Sequence, residues 1–426
     1  MTYLRHLMDI LLKDVTVIDT ASSFHRQQVD IFIQNGFVTE IGSFDRPADK
    51  TISANGLCIF PGFTDVFANF CDPGFEFRET LETGAAAAAH GGYTDVFLLP
   101  NTQPIVSQKS GVEYIVQRSK TLPVTLHPIG AITKNVEGKE LSEMYDMHQS
   151  GAVAFSDGVC PVQSSGLLLK ALQYVKAINK IIIQLPEEHS ISGPGLMNEG
   201  IVSTQLGLPG KPAIAEELMI SRDIELTRYT GSAIHFTGVS TAKGMEIIRK
   251  AKAEGLPVSC SVTPAHLFFT DADLVGYDTN LKLSSPLRTA ADRDALREAV
   301  EDGTVDCIAS HHFPHHTDHK VVEFEYAKNG MIALETAFSV VRSSMPSLSL
   351  ERITEVFSTT PRRLFQLPTV SFATDQPAMF SLFLPDEQWT PSSFVSRSRN
   401  SPFLGKALTG RPYGIIQEDK LFLKPL

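Results

Sequence analysis

Apolar and polar positions alternate along residues 14–60. The stretches "DVTVIDT" and "VDIFIQNGFVTEIGSF" carry apolar side chains at about every second position, the period of a strand with one buried face. Asn35-Gly36 lies between two such runs and predicts a two-residue hairpin. From residue 61 the pattern changes. Short apolar runs at 63–70, 94–99, 124–130, 152–156, 181–185, 233–239, 257–262 and 305–310 alternate with helix-period stretches such as "SSGLLLKALQYVKAINK" and "STAKGMEIIRKAKAEG". Eight strand-then-helix units in succession predict α/β architecture, a closed (β/α)8 barrel of the TIM type. No glycine-rich phosphate loop follows the first strand to support an open doubly wound sheet. The run "AAAAA" at 85–89 reads as a tightly packed barrel helix. After residue 366 strand-like patterns return in "AMFSLFLP" and "YGIIQEDKLFL". The two chain ends, 1–60 and 366–426, are therefore expected to pair into a small β-sandwich beside a barrel spanning 61–365.

Composition narrows the partners. The chain has 426 residues, 42% hydrophobic and 20% charged, which suits a globular protein with a large core. Its net charge is −11 and it has no lysine- or arginine-rich run, which argues against nucleic-acid or anionic-membrane partners. Cys58, Cys71, Cys160, Cys260 and Cys307 form no C-x-x-C pair, and an odd number suits a reducing compartment. The opening "MTYLRHLMDILLKD" lacks the uninterrupted apolar run of a leader, and no stretch approaches membrane-span length. Met8 reads as a natural strand start, with the first seven residues an upstream extension. A cytoplasmic location is expected.

In barrels of this kind chemistry sits at the carboxyl ends of the strands. Those ends carry Asp65/Phe67/Asn69, Asn101, Asp157, Gln184, His235/Gly238, Thr263/His266 and His311/His312/His315. On the first strand, Asp65, Phe67 and Asn69 share one side, so a benzyl group stands between two polar ones. The surrounding motifs have a counterpart. "PGFTDVFANFCDPG" resembles the P-G-F-x-D-x-H-x-H-L-R-D-P-G of cyclic amidohydrolases. "PNTQP", "AFSDG", "MNEGIVSTQLGLPGKPAIAEELMISRDIEL", "SPLRTAADRDALREAVEDGTVDCIASHHFPHH" and "NSPFLGKALTGR" continue the match. Their order and spacing are similar to those of dihydroorotase, an amidohydrolase-superfamily enzyme, over nearly the whole chain.

The resemblance implies a site that this chain has lost. Active relatives hold one or two zinc ions with histidines and carboxylates. The paired first-strand histidines correspond to Phe67 and Asn69, the strand-five histidine to Gln184, the strand-six histidine to Gly238 and the strand-eight aspartate to His311. Asp157 alone is retained, with Gly158 where a second acidic residue is expected. The substrate-clamping arginine corresponds to Cys71, and an asparagine of the pocket to Ser284. Asn101, Arg288 and His315 stand as remnants of the substrate pocket, and Asp157 and His311 as vestiges of the catalytic set. No metal or other cofactor is expected, and Phe67 is expected to fill the vacated volume. Without zinc, the activated water and the Lewis acid disappear together, which histidine general-base help of roughly 10²–10⁴-fold does not replace.

The resemblance thus implies a non-catalytic dihydroorotase-like protein of pyrimidine biosynthesis. Family precedent points to a structural or regulatory partner, for example of aspartate carbamoyltransferase, and a homo-oligomer is expected. Two alternatives stay open: an active dihydroorotase or related cyclic amidohydrolase with altered metal ligands, and a small-molecule sensor using the vestigial pocket. The cluster "HHFPHHTDH" invites a relocated metal site at His311, His312, His315, His316 and His319. The expected reading is family remnants plus a solvated loop, with adventitious metal binding at most. His235 and His266 read as satisfied barrel histidines, Cys71 as a small filler, and Asp65 and Asp72 as turn caps.

Overall fold

The computed structural model describes residues 8–424; the expected extension at residues 1–7 lies outside the described residues. The chain opens with β1 (Ile10–Val17), β2 (Gln28–Gln34), β3 (Phe37–Gly42), β4 (Lys50–Ile52) and β5 (Cys58–Pro61). Asn35 and Gly36 take φ values of 54° and 81°, the left-handed pair a two-residue hairpin needs, and join β2 to β3. Next come β6 (Phe63–Ala68), β7 (Tyr93–Leu98), β8 (Thr125–Gly130), β9 (Ala154–Phe155) and β10 (Ile182–Gln184). A small parallel pair, β11 (Met197–Asn198) and β12 (Gly210–Lys211), precedes β13 (Ile234–Phe236), β14 (Val258–Val262) and β15 (Cys307–Ile308). The chain closes with β16 (Met379–Trp389), β17 (Leu408–Gln417) and β18 (Lys420–Leu423).

The eight expected barrel strands form one parallel sheet in the order β6-β7-β8-β9-β10-β13-β14-β15. Closure is made at the mouth end. Ala68 bridges His312 in parallel, and the Asn69 amide donates to the His312 carbonyl at 2.9 Å. Asp65 clamps the same seam: its carboxylate accepts from the Ser310 amide at 2.6 Å and from the Ser310 hydroxyl at 2.7 Å. Between strands and helices lies a layer containing Leu98, Leu126, Ile182, Phe236 and Val262. The barrel interior is separately packed with Phe97, Ile129, Ile183, Cys307 and Ala309, and Phe365 plugs its base, 4.9 Å from the Phe97 ring. The alanine run lies in the helix Leu81–His90, where Ala85, Ala87, Ala88 and Ala89 are fully buried. Larger side chains would not fit: Phe70 sits so close that a Cβ on Gly84 would come within 2.5 Å of its ring.

The chain ends pair with each other as expected. Their strands make one sheet in the order β18-β17-β16-β5-β1-β2-β3, with β4 also on β1. The sheet forks at β1, whose first half pairs with β4 and second half with β5. Ile10, Leu12, Val17, Ile31, Phe380 and Leu382 lie in its own core, distinct from that of the barrel.

Candidate site at the barrel mouth

The strand β6 resolves its own mixed polarity. Asp65 is consumed by the seam with Ser310, where burial lifts its carboxyl to about 6. Asn69 is consumed by the turn, accepting from the Cys71 amide at 2.7 Å and donating to the Asn101 carbonyl at 3.3 Å. Phe67, fully buried, stands between them and lays its ring 4.5 Å from that of His311, with 31° between the planes. The benzyl group thus occupies the mouth.

His311 is held with φ 48°, and its Nε2 lies 2.8 Å from the Thr237 hydroxyl. Gly238 makes room for it: the residue has φ +66°, and a Cβ there would come within 2.6 Å of His311 Cε1. A chain of side chains runs on below. Thr237 accepts from Ser261 at 2.9 Å, Ser261 lies 3.0 Å from His235 Nε2, and His235 Nδ1 lies 2.9 Å from Ser259. Burial, then the neighbouring His266 and His235, push His311 down to about 3; burial likewise takes His235 to about 3. His266 spends both nitrogens, on the Thr263 hydroxyl at 2.7 Å and the Ser285 carbonyl at 3.1 Å. His235 and His266 are satisfied barrel histidines.

Gln184 does not face the mouth. It lies on the outward side of β10, where its amide donates to Asp223 at 3.3 Å and to the Val162 carbonyl at 3.5 Å. The mouth position belongs to Leu185, which lines the cavity beside Phe67 and His311. Strand alternation explains the difference: Ile183 and Leu185 share the inner face, Ile182 and Gln184 the outer. Leu283, Phe313 and Met331, on the loops over the mouth, carried no signal in the sequence.

The retained polar residues are committed elsewhere. Asp157 accepts from the Thr133 amide at 2.9 Å and the Thr133 hydroxyl at 2.5 Å, and burial raises it to about 6. Asn101 ties down the next turn, donating to the Asp157 carbonyl at 3.1 Å and accepting from the Val159 amide at 3.3 Å. Arg288 is buried between other loops, donating to Asn198 at 2.9 Å, the Lys211 carbonyl at 2.8 Å and Ser240 at 3.2 Å. His315 binds the Asn329 carbonyl at 2.8 Å. None of Asn101, Arg288 and His315 lines the mouth cavity, so the expected trio does not converge. Cys71 is buried against the Pro314 carbonyl, and burial pushes its thiol up to about 12, a filler rather than a nucleophile.

The histidine cluster is dispersed. His311 turns into the mouth, while His312 turns away and accepts from the Ala333 amide at 3.1 Å, with Nε2 3.5 Å from Glu79. His316 is exposed beside Asp318 at 3.2 Å. Among the described residues no three His, Cys, Asp or Glu side chains are placed to hold a metal. The zinc that the resemblance implies does not fit this mouth. Phe67, Leu185 and Gly238 offer no donor atom, His311 Nε2 is held by Thr237, His266 by Thr263 and Ser285, and Asp157 by Thr133. What is left is a cavity of about 40 Å³ with Phe67, Leu185, Leu283, Phe313 and Met331 in its wall. That is room for about two or three waters, far below the roughly 300–1,000 Å³ of small-molecule pockets.

Comparison with known proteins agrees with the motifs. A dihydro-orotase-like family profile matches residues 56–244. The dihydroorotase of Pelotomaculum thermopropionicum is 40% identical over 415 residues, 96% of this chain and 97% of its own. That of Syntrophus aciditrophicus is 37% identical over 412 residues, 95% of this chain and 96% of its own. Among solved structures, the L-hydantoinase (dihydropyrimidinase) of Arthrobacter aurescens superposes with a TM-score of 0.85 at 25% identity, covering 98% of this chain and 96% of that one. A dihydropyrimidinase of Brevibacillus agri shares the fold, with a TM-score of 0.82 at 20% identity and coverage of 98% and 95%.

Proposed function

Since the chain belongs to the dihydroorotase family of cyclic amidohydrolases, we propose that it is a non-catalytic member of pyrimidine biosynthesis, acting as structural or regulatory partner of aspartate carbamoyltransferase in the cytosol. The observation that carries this reading is the close packing of Phe67 against His311, with Leu185 and Gly238 beside them. Hydrolysis of a cyclic amide needs an activated water and a polarised carbonyl at one point. This mouth supplies neither, because its donors are spent on neighbouring loops and its centre is apolar.

The alternatives fare worse on the same geometry. An enzyme with altered ligands needs several uncommitted donors around one point. A sensor needs far more room than the roughly 40 Å³ left between the apolar side chains and Thr263, Ser284, His311 and Asn329. The partner role is supported by a barrel that stays closed and well packed while its mouth is sealed, which leaves the outer surface to carry the function.

Protein purified without a metal-affinity tag is expected to contain well under one zinc per chain and to show no dihydroorotate turnover. Stoichiometric zinc with carbamoyl aspartate formed above background overturns the reading. Light scattering of the chain mixed with its cognate transcarbamoylase tests the partner role; separate elution at micromolar concentration refutes it.

A further inference from the structure

Three surface segments share one buried floor beside the mouth: the helix Ile201–Leu206, the turn Asp271–Gly276 with Tyr277, and the loop 321–326. Met197, Leu208, Leu274 and Phe324 belong to that floor. The Tyr277 hydroxyl donates to the Leu206 carbonyl at 2.9 Å, and its ring lies 6.4 Å from that of Phe324. Just beyond these segments, the Thr279 hydroxyl donates to the Lys320 carbonyl at 2.6 Å. Above the floor stand Ile201, Val275, Tyr277, Val321 and Tyr326, with exposures of 78%, 62%, 44%, 77% and 72%. Single exposed apolar side chains are ordinary, but a group over one floor marks a contact surface.

Charge around this face is predominantly acidic. Asp273, Glu323 and Glu325 are exposed within these segments and Glu199 and Asp318 just outside them, against the exposed cations Lys328 and Lys406, the latter 4.6 Å from the ring of the floor residue Phe269. Lys320 is turned inward, donating to the carbonyls of Lys328 and Gly330 at 2.8 and 3.0 Å. Gly330 and Met331, a few residues beyond the loop, line the mouth cavity.

We propose that this acid-rimmed apolar face docks a second protein whose contact surface has an apolar centre and a lysine- or arginine-rich rim. The proposal rests on the partner reading above and assigns that partner a place. A second copy of this chain is the poorer occupant, because its own carboxylates would meet like charges across the contact.

The test measures affinity for the cognate transcarbamoylase with the full chain. Val321→Asp/Tyr326→Ser should weaken binding by roughly tenfold or more. Glu323→Lys/Glu325→Lys should weaken it too and flatten the loss of affinity with added salt. Tyr229→Ser, an exposed aromatic on the helix Ile214–Thr230, should bind as the unaltered chain does. Unchanged melting temperatures establish that the variants are folded. A complex indifferent to both patch variants overturns the docking face and leaves the partner reading intact. No complex with the unaltered chain overturns both.

Discussion

At the scale of single residues, Phe67 decides what the barrel mouth is. A metal ligand there would need donor partners at three further points; Leu185 and Gly238 provide none, and His311 spends Nε2 on the Thr237 hydroxyl. Phe67→His is therefore expected to leave dihydroorotate hydrolysis at background. It should also destabilise the fold by about 1–3 kcal/mol, because a polar ring replaces a fully buried benzyl group. Parallel urea melts and turnover assays check both halves, and activity gained from this one change refutes the account of the mouth. Gly238→Ala is expected to cost about 1–3 kcal/mol for a different reason. Its Cβ would fall 2.6 Å from the His311 ring, at a φ that alanine tolerates poorly. A melt equal to that of the unaltered chain would contradict this packing. The motif spacing located Phe67, Gly238 and His311 at the mouth, whereas Gln184 turns outward and its neighbour Leu185 lines the cavity. Alternation along β10 decides that point, and a strand of three residues makes its own parity hard to see.

At the scale of elements, the barrel strands were visible because each has an apolar run between two helix-period stretches. The small pair β11 and β12 was not, since its two-residue strands lie within no apolar run flanked by helix-period stretches. That pair also explains why Arg288 is absent from the mouth: the guanidinium is drawn to Asn198 of β11 and the Lys211 carbonyl of β12. Seams between strands distant in sequence were equally hidden, and the closing seam hangs on Asp65 and Ser310. Ser310→Ala removes the hydroxyl donor from a buried carboxylate, leaving only amide donors. The expected cost is about 1–3 kcal/mol, read from chemical denaturation; a change within experimental error would show that the Ala68–His312 bridge closes the barrel alone.

At the scale of the whole molecule, buried titratable groups set the response to acid. Burial holds His235 and His311 near 3 and His266 and His315 near 4, below the ordinary 6.5. Groups depressed in this way add stability that is complete above pH 6.5 and is lost as pH falls through the folded values. Asp65, Asp157 and Asp223, raised by burial to about 6, act in the opposite sense, adding stability as pH falls from 6 towards 3.8. The melting temperature should therefore fall gently between pH 6.5 and 4. Below 4 it should fall steeply, because the carboxylates have finished titrating while His235 and His311 have not. Calorimetry from pH 8 to pH 3 checks the shape, and a melting temperature that rises on acidification refutes it. The joined chain ends carry a consequence of another kind, in the order of synthesis. β5 pairs with β16, and more than 300 residues separate Pro61 from Met379. At about 5–20 residues per second on a ribosome, the free edge of β5 waits roughly 15–60 s for its neighbour. During that interval the nascent chain offers an unpaired apolar strand edge to any other nascent chain nearby, so a translation pause before Met379 should turn a folding protein into an aggregating one.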